Sequence, residues 1–279
     1  MKIKFYGTAA AEGVPDLFCN CDVCKRTRAA GGRNIRTRSQ ALVNGELLID
    51  FPPDTLLHTL NCGLDLPSII KCIITHSHAD HLYTDDILMR RPDFTHVNPG
   101  GEVLPFDVYI SKVGAEAIFR NDSPFLHDGK TIVVHTVEAF QPFAVGRYQI
   151  TGLTADHAPA TGPLFYAVSD GEKALLYAND TGYFPEETWA WLEREKPRFD
   201  LISLDCTGGI RDDYRRSHMC LPVNAEVRDR LMAIGCADEK TIFCVHHFSH
   251  NGGATYDEIV PVAEKMGFVV TYDGLEIEV

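Results

Sequence analysis

The chain contains the stretch Ile73-Ile74-Thr75-His76-Ser77-His78-Ala79-Asp80-His81-Leu82, in which four potential metal ligands follow an apolar strand. In the extended part, His76 and His78 are two residues apart and project to the same side. Asp80 and His81 stand where helical spacing begins, so they can aim at a second point nearby. Four good ligands at this spacing rarely occur without a metal. The stretch predicts a loop that serves two metal ions.

Later loops must supply further ligands, because two metal ions about 3.5–4 Å apart need more than one such loop provides. Three candidates closely follow predicted strands, where active-site residues tend to gather. They are His157, Asp180 and His247. The residue types admit manganese, zinc or iron at the paired site.

A second cluster of potential ligands is formed by three of the nine cysteines, Cys19, Cys21 and Cys24. An odd number of cysteines fits a reducing compartment better than a disulfide framework. Three thiolates can surround one soft ion but leave a tetrahedral site one ligand short. His250, three residues after His247, is a candidate for the fourth ligand. The alternative is three free thiols.

The composition excludes several classes of function. The 279 residues are 45% hydrophobic and 23% charged, which is typical of a globular protein. Lysine and arginine number 26 against 39 aspartate and glutamate residues, a formal net charge of −13. A nucleic-acid partner is therefore disfavoured and a small substrate is favoured. No apolar run approaches the ~18 residues of a membrane span and no signal peptide opens the chain, so we expect a cytoplasmic protein.

Apolar runs rich in β-branched and aromatic residues predict strands throughout the chain. These runs are Ile3–Tyr6, Ala41–Ile49, Ile69–Thr75, Val108–Ile110, Thr131–Val134, Tyr148–Leu153, Leu164–Val168, Ala174–Ala178, Leu201–Leu204, Thr241–Val245 and Val269–Glu278. Asparagine–glycine or aspartate–glycine pairs predict tight hairpins at 44–45, 170–171 and 273–274.

Helical spacing separates these strands. It occurs at Pro53–Leu60, His81–Arg90, Lys112–Phe119, Pro185–Glu195, Pro222–Ile234 and Thr255–Met266. Strands interspersed with helices indicate sheets covered by helices. We therefore predict one α/β domain over residues 1–279, built around two sheets, whose strand order the pattern does not reveal.

The His-x-His-x-Asp-His loop resembles the signature of the metallo-β-lactamase superfamily, and the resemblance extends from Gly7 to Gly274. It implies an αβ/βα sandwich of two mixed sheets flanked by helices. It also implies a ligand set in which one ion takes His76, His78 and His157, the other takes Asp80, His81 and His247, and Asp180 bridges them. Asp50 matches the superfamily's aspartate that supports the ligands.

A narrower resemblance is to the PhnP-like phosphoribosyl cyclic phosphate phosphodiesterases. The shared features are Gly7-Thr8-x-x-x-x-Gly13-x-Pro15, the cysteine loop, and a His-x-x-Ser-His segment that begins at His247. His246 precedes it at a position commonly occupied by another residue, but the spacing to His250 favours His247 as the ligand. A looser resemblance is to the pyrroloquinoline quinone biosynthesis B proteins.

The same branch places a histidine beside the substrate, and His218 matches it. The resemblance makes His218 the expected proton donor to the leaving oxygen or a ligand of the phosphoryl oxygen. Arg211, Arg215 and Arg216 surround it, and Arg36 and Arg38 form another basic cluster. Either cluster could bind a substrate phosphate or be an ordinary solvated surface.

The expected function is therefore hydrolysis of a small phosphodiester, with a cyclic sugar phosphate diester favoured. Asp80 and His218 are the expected catalytic residues. By resemblance, two divalent ions occupy the active site, with manganese favoured there and zinc at the cysteine site. The expected partner is the small substrate alone, with a homodimer as a possible assembly.

The alternatives belong to other classes. A tRNA 3′-processing phosphodiesterase shares the metal loop but ordinarily carries a basic arm, which this sequence lacks. Lactamases and thioesterases generally lack the cysteine loop. A non-hydrolytic metal-binding protein, either a sensor or a factor resembling the quinone B proteins, is the remaining alternative.

Overall fold

The computed structural model describes residues 1–279 and contains two seven-stranded β-sheets. The strands are β1 Lys2–Gly7, β2 Gln40–Val43, β3 Leu47–Ile49, β4 Lys71–Ile73, β5 Phe106–Ser111, β6 Ile132–Val137, β7 Pro142–Val145, β8 Tyr148–Thr154, β9 Leu164–Ser169, β10 Ala174–Ala178, β11 Leu201–Asp205, β12 Ile242–His246, β13 Val269–Val270 and β14 Glu276–Glu278. The first sheet has the order β14-β1-β2-β3-β4-β5-β6 and the second β13-β12-β11-β10-β9-β8-β7.

The chain also contains seven α-helices, several of which cover the outer faces of the two sheets. They are α1 Asp22–Ala30, α2 Thr55–Cys62, α3 Thr84–Ile87, α4 Lys112–Ile118, α5 Glu186–Glu195, α6 Leu221–Ala233 and α7 Tyr256–Lys265. The helix predicted over 81–90 is the short α3 followed by the 3₁₀ turn Leu88–Arg90. None of these helices is long and apolar enough to cross a membrane.

Three hydrophobic cores hold these layers together. Phe5 and Tyr177 belong to the core between the two sheets, to which both sheets contribute side chains. Trp189 of α5 and Leu231 of α6 pack on the outer face of the second sheet. Ile118 of α4 belongs to the core on the outer face of the first sheet. The layers therefore form the predicted αβ/βα sandwich.

Two of the three predicted hairpins are confirmed, and the third is wrong. Antiparallel pairing joins β2 to β3 across 44–45 and β9 to β10 across 170–171. In contrast, the strands on either side of 273–274 lie in different sheets, because β13 pairs with β12 and β14 pairs with β1. An aspartate–glycine turn signals a local reversal of direction, but the partners of these two strands are set by packing far away in sequence.

Two elements lacked a clear signal in the sequence. Helix α1 has no broad apolar stripe, and its N-terminus is capped by the Cys21 side chain, which accepts a hydrogen bond from the Cys24 amide. Strand β7 begins at Pro142 and lies at the edge of the second sheet, the position where a strand tolerates proline. Neither a helix capped by a thiol nor an edge strand that begins with proline produces a periodic pattern of apolar residues. The sequence therefore did not predict these two elements.

The sheet topology gathers residues distant in sequence. In the second sheet, β10, β11 and β12 are adjacent and parallel, so their carboxyl ends meet at the same edge. In the first sheet, β3 and β4 are likewise parallel neighbours. The segments that follow these strands carry most of the candidate ligands.

Candidate metal centre

The first group of candidate ligands lies after β4, β8 and β10. It consists of His76, His78, His157 and Asp180, whose potential ligand atoms all lie within 4.8 Å of one another. His76 Nε2 is 2.9 Å from His78 Nδ1, which is 3.2 Å from His157 Nε2. The structure thus brings together the three histidines that the resemblance assigned to one ion and Asp180, which it assigned as the bridge between the two ions.

The second group shares one member with the first. It consists of Asp80, His81, Asp180 and His247, all of them buried and again within 4.8 Å. His81 Nε2 is 3.1 Å from an Asp80 carboxylate oxygen and 2.9 Å from one of Asp180. Asp180 therefore stands where one carboxylate can serve two ions.

The atoms that face this centre fit divalent cations. His81 Nε2, His247 Nε2 and Asp180 Oδ1 are buried, and none of them makes a well-aligned hydrogen bond, although other charged groups of the site lie close to them. Burying such polar atoms without a partner costs about 1–3 kcal/mol each. Bound cations would offset that cost, and imidazole and carboxylate are suitable donors for transition-metal ions.

Residues behind the ligands orient their rings. Asp50 Oδ2 lies 2.7 Å from His81 Nδ1, while Asp50 Oδ1 accepts hydrogen bonds from the backbone and side chain of Thr75. His157 Nδ1 lies 3.2 Å from the carbonyl oxygen of Ser217. Such contacts leave Nε2 of each ring free to face the metal, the usual arrangement around metal-bound histidines.

The backbone at the centre is strained at three positions. Asp50, Asp180 and His247 have φ values of 64°, 53° and 62°. This left-handed region is unfavourable by about 1–2 kcal/mol for most residues other than glycine, and asparagine and aspartate tolerate it best among them. Strain of this kind persists where the surrounding structure holds the residue in place, and it clusters at functional sites.

The charge balance keeps His76 and Asp180 in the form that binds cations. Burial, reinforced by the neighbouring imidazoles, holds the pKa of His76 well below its ordinary value. Burial by itself would raise the pKa of Asp180, but the positive charge of the surrounding histidines, His247 foremost, holds that pKa well below its ordinary value. Neutral imidazole and ionised carboxylate are the forms that bind cations. For His81 and His247, burial lowers the pKa, but the neighbouring carboxylates outweigh burial and raise it.

His218 lies beside the shared carboxylate. Its Nδ1 is 3.2 Å from an Asp180 oxygen and 3.2 Å from Asp205 Oδ2. Burial lowers the pKa of His218, but the charge of Asp205 and its hydrogen bond outweigh burial and raise the pKa to about 9. Asp205 therefore favours the protonated form of the ring.

Sequence reasoning assigned no role to Asp205, although the residue joins two parts of the site. Its Oδ2 also lies 3.3 Å from His247 Nδ1, and its Oδ1 accepts from the Met219 amide. Burial would raise the pKa of Asp205, but His218 and His247 lower it to about 2. The available signal was an aspartate that ends the apolar run 201–204, as Asp50 ends the run 47–49.

The structure separates the two adjacent histidines at the end of β12. His247 belongs to the second ligand group, whereas His246 is completely buried and its Nε2 lies 2.7 Å from Ser39 Oγ. Asp205 pairs with His246 across the sheet and touches His247 with its side chain. Only His247 therefore faces the candidate metal centre.

The arginines of both basic clusters have partners within the chain. Arg211 pairs with Asp213, Arg215 with Glu226, Arg216 with Asp156 and Arg38 with Asp54. Arg36 is buried, donates to Thr8 Oγ1 and stacks on Phe248. These contacts favour the interpretation of the clusters as structural and surface pairs rather than as a phosphate site.

The cysteine loop meets the loop after β12. Cys19, Cys21, Cys24 and His250 form a separate group within 4.8 Å, and His250 Nδ1 lies 3.7 Å from Cys19 Sγ and 3.5 Å from Cys21 Sγ. Burial opposes ionisation of Cys21, but the Cys24 amide and His250 lower its pKa to about 6. A thiolate–imidazole set of this kind suits a tetrahedral zinc ion.

One known family matches most of the chain. Residues 47–269 match a family model described as "Beta-lactamase superfamily domain". The chain belongs to this family. The assignment agrees with the two-sheet architecture and with the loop of candidate metal ligands that begins at His76.

Proteins of both kinds suggested by the motifs occur among the similar sequences and structures. The coenzyme PQQ synthesis protein B of Ruegeria pomeroyi is 25% identical over 303 aligned residues, covering 99% of each chain. The structure of Zn²⁺-bound PqqB from Methylobacterium extorquens has a TM-score of 0.77 at 19% identity, with full coverage of both chains. A diphosphatase of the PhnP family has a TM-score of 0.73 at 20% identity, covering 100% of this chain and 97% of that one. The two structures share the fold with this protein.

Proposed function

We propose that the chain is a metal-dependent hydrolase that cleaves a phosphodiester bond in a small molecule, with a cyclic sugar phosphate diester as the favoured substrate class. The observation that carries the proposal is the position of His218, whose Nδ1 lies 3.2 Å from the carboxylate shared by both ligand groups. A protonated imidazole at this place can donate to a leaving oxygen while that oxygen departs.

The residues divide the chemistry between them. Divalent cations in the two ligand groups would supply an activated water molecule and offset the charge of the phosphoryl oxygens. Asp80 would hold the cation of the second group, and Asp180, which belongs to both groups, would hold both cations. Asp205 stabilises the positive charge of His218 at Nδ1, which leaves Nε2 as the proton-donating atom. His157 and His247 flank the ring of His218, at centroid distances of 5.1 and 5.8 Å.

The charge distribution supports a small substrate. The chain carries a formal net charge of −13. The arginines that precede His218 in the sequence, which are Arg211, Arg215 and Arg216, are already paired with carboxylates. A long polyanion would meet repulsion without a basic surface to offset it. A transfer-RNA substrate is therefore disfavoured.

A second candidate is a non-hydrolytic role in cofactor biosynthesis. It is favoured by the relationship to the PQQ synthesis protein B of Ruegeria pomeroyi, which extends over 99% of this chain. The ligand groups would then bind metal without a hydrolytic turnover. The two candidates differ in one measurable property, which is catalysis.

The experiment that separates them is turnover by protein reconstituted with manganese, zinc or iron. The substrate panel contains cyclic and linear phosphodiesters, lactams and thioesters, and the control is the same protein after removal of its metals. We expect metal-dependent hydrolysis of a small diester. Turnover of lactams or thioesters alone would overturn the phosphodiesterase proposal, and a fully metallated protein inactive on the whole panel would favour the second candidate.

We further propose that manganese is the preferred ion of the paired groups and that zinc occupies the cysteine group. The support for zinc is the chemistry of the cysteine group, which offers three thiols and one imidazole. Soft or borderline cations prefer such a donor set. Zinc there would join the loop before α1 to the loop after β12, which also carries His247.

The variant Cys21→Ser should lose this zinc and unfold at a lower temperature, because the remaining donors no longer complete a tetrahedral site. Each kcal/mol of lost stability lowers the Tm of a chain this size by about 2–4 °C. Elemental analysis after mild chelation and a thermal melt provide the measurements. Cys62→Ser is the matched control and should keep the zinc. Three free thiols in the fully metallated natural protein would contradict the assignment.

A further inference from the structure

A buried polar cluster lies behind the candidate metal centre, between the two sheets. Ser39, Asn179 and His246 are its members, and each is at most 1% exposed. Ser39 Oγ and His246 Nε2 share a hydrogen bond of 2.7 Å, and Asn179 Nδ2 donates to the same oxygen over 3.3 Å. One serine hydroxyl therefore ties together the ends of two strands, β10 and β12.

The cluster is adjacent in sequence to two candidate ligands. Asn179 immediately precedes Asp180 and His246 immediately precedes His247, and both of these ligands have the strained left-handed φ. Neither Asn179 nor His246 belongs to any ligand group. Their hydrogen bonds to Ser39 act on the backbone just before each strained residue.

Packing restricts the ring of His246 to one orientation. Its centroid lies 5.1 Å from that of Phe5 and 5.4 Å from that of Tyr177, with both rings edge-on. The amide of Cys206 donates to the His246 carbonyl oxygen over 2.7 Å, which attaches this strand end to β11. The ring cannot leave Ser39 without disturbing the core between the sheets.

We propose that Ser39, Asn179 and His246 form a positioning clasp that holds Asp180 and His247 in their metal-binding backbone conformation. The inference rests on the proposed metal binding but not on the proposed hydrolysis. His246 acts on the second ligand group through His247, and Asn179 acts on both groups through Asp180. His246 thereby supports a metal ligand without being a ligand itself.

The test is an equilibrium titration of the metal-free protein with Mn²⁺ or Zn²⁺ against a competing chelator, which measures affinity without any turnover. The variant His246→Phe keeps a ring between Phe5 and Tyr177 but removes the hydrogen bond to Ser39. We expect it to fold and to bind the more weakly held of two cations about 10-fold or more less tightly, the usual scale for residues that support metal ligands.

Conservative replacements distinguish positioning from filling of space. The amide of His246→Gln can reach the place of Nε2, so we expect affinity within about 3-fold of the natural protein, whereas His246→Asn is too short and should resemble His246→Phe. Ser39→Ala removes the other end of the bond and should weaken binding similarly, and the double variant Ser39→Ala/His246→Phe should be no weaker than the worse single variant. His135→Phe, on β6, is the matched control and should bind normally.

The metal titrations test the clasp independently of the hydrolytic assay, because they require no turnover. Natural affinity for both cations in His246→Phe and Ser39→Ala would overturn the proposal, even if the melting temperature fell. Equal losses in His246→Gln and His246→Phe would also overturn it, because a purely steric role predicts that result. If His246→Phe does not fold, Ser39→Ala alone decides between weakened and unchanged binding.

Discussion

Asp180→Ala should lose at least one of the two cations and nearly all hydrolytic turnover. Asp180 is the only residue common to both ligand groups of the paired centre, and its side chain is buried among their histidines. Metal ions contribute several kcal/mol to such reactions, and each 1.36 kcal/mol is a tenfold change in rate. We therefore expect turnover to fall by about 10³-fold or more. Elemental analysis and steady-state kinetics at saturating metal provide the measurements.

Two further variants make this result interpretable. Asp180→Asn preserves the shape of the side chain and removes only its charge, so a comparable loss would attribute the effect to the carboxylate rather than to a cavity. His96→Ala changes an exposed histidine outside every ligand group and should keep both ions and full turnover. The ligand assignment would be wrong if Asp180→Ala retained two metals and full activity.

His218→Ala should keep both metals and the fold but lose turnover of substrates with poor leaving groups. A proton donor matters most when a sugar alkoxide departs, so turnover of sugar-like diesters should fall by roughly 10²-fold or more. A nitrophenolate leaving group needs little protonation, and the rate on such an activated diester should fall much less. The ratio of the two losses is the measurement.

The same comparison separates three roles for His218. Equal losses on both kinds of diester would indicate that the ring binds the phosphoryl group instead of donating a proton. No loss on either would make His218 an ordinary loop residue. Asp205→Asn offers a related variant, because it removes the charge that raises the pKa of His218 while preserving the side-chain shape. We expect it to affect sugar-like diesters more strongly than activated ones.

The sequence by itself determined the features that depend on local spacing. The apolar run followed by four ligands within six residues indicated both the metal loop and the strand before it, because side-chain direction alternates along an extended chain. Most strands and helices and two of the three hairpins followed from periodicity and turn chemistry. The resemblance to a known superfamily then supplied the layer order and the residues expected to complete the centre.

The tertiary structure alone decided the features that depend on contacts between distant segments. Asp205 joins His218 to His247 because the parallel strands β11 and β12 end side by side, which no local pattern reveals. The separation of β13 from β14 likewise depends on which sheet each strand can pair with. A spacing rule describes one segment at a time, whereas pairing and burial are properties of two segments in contact.

The adjacent histidines His246 and His247 illustrate both what local spacing predicts and what only tertiary contacts decide. In the sequence, the spacing to His250 favoured His247 rather than His246 as the ligand. Only the folded chain placed Ser39 and Asn179 against His246, and only it paired each exposed arginine near His218 with a carboxylate. Side chains select partners by distance and desolvation in three dimensions, and the linear sequence carries that information only through the fold.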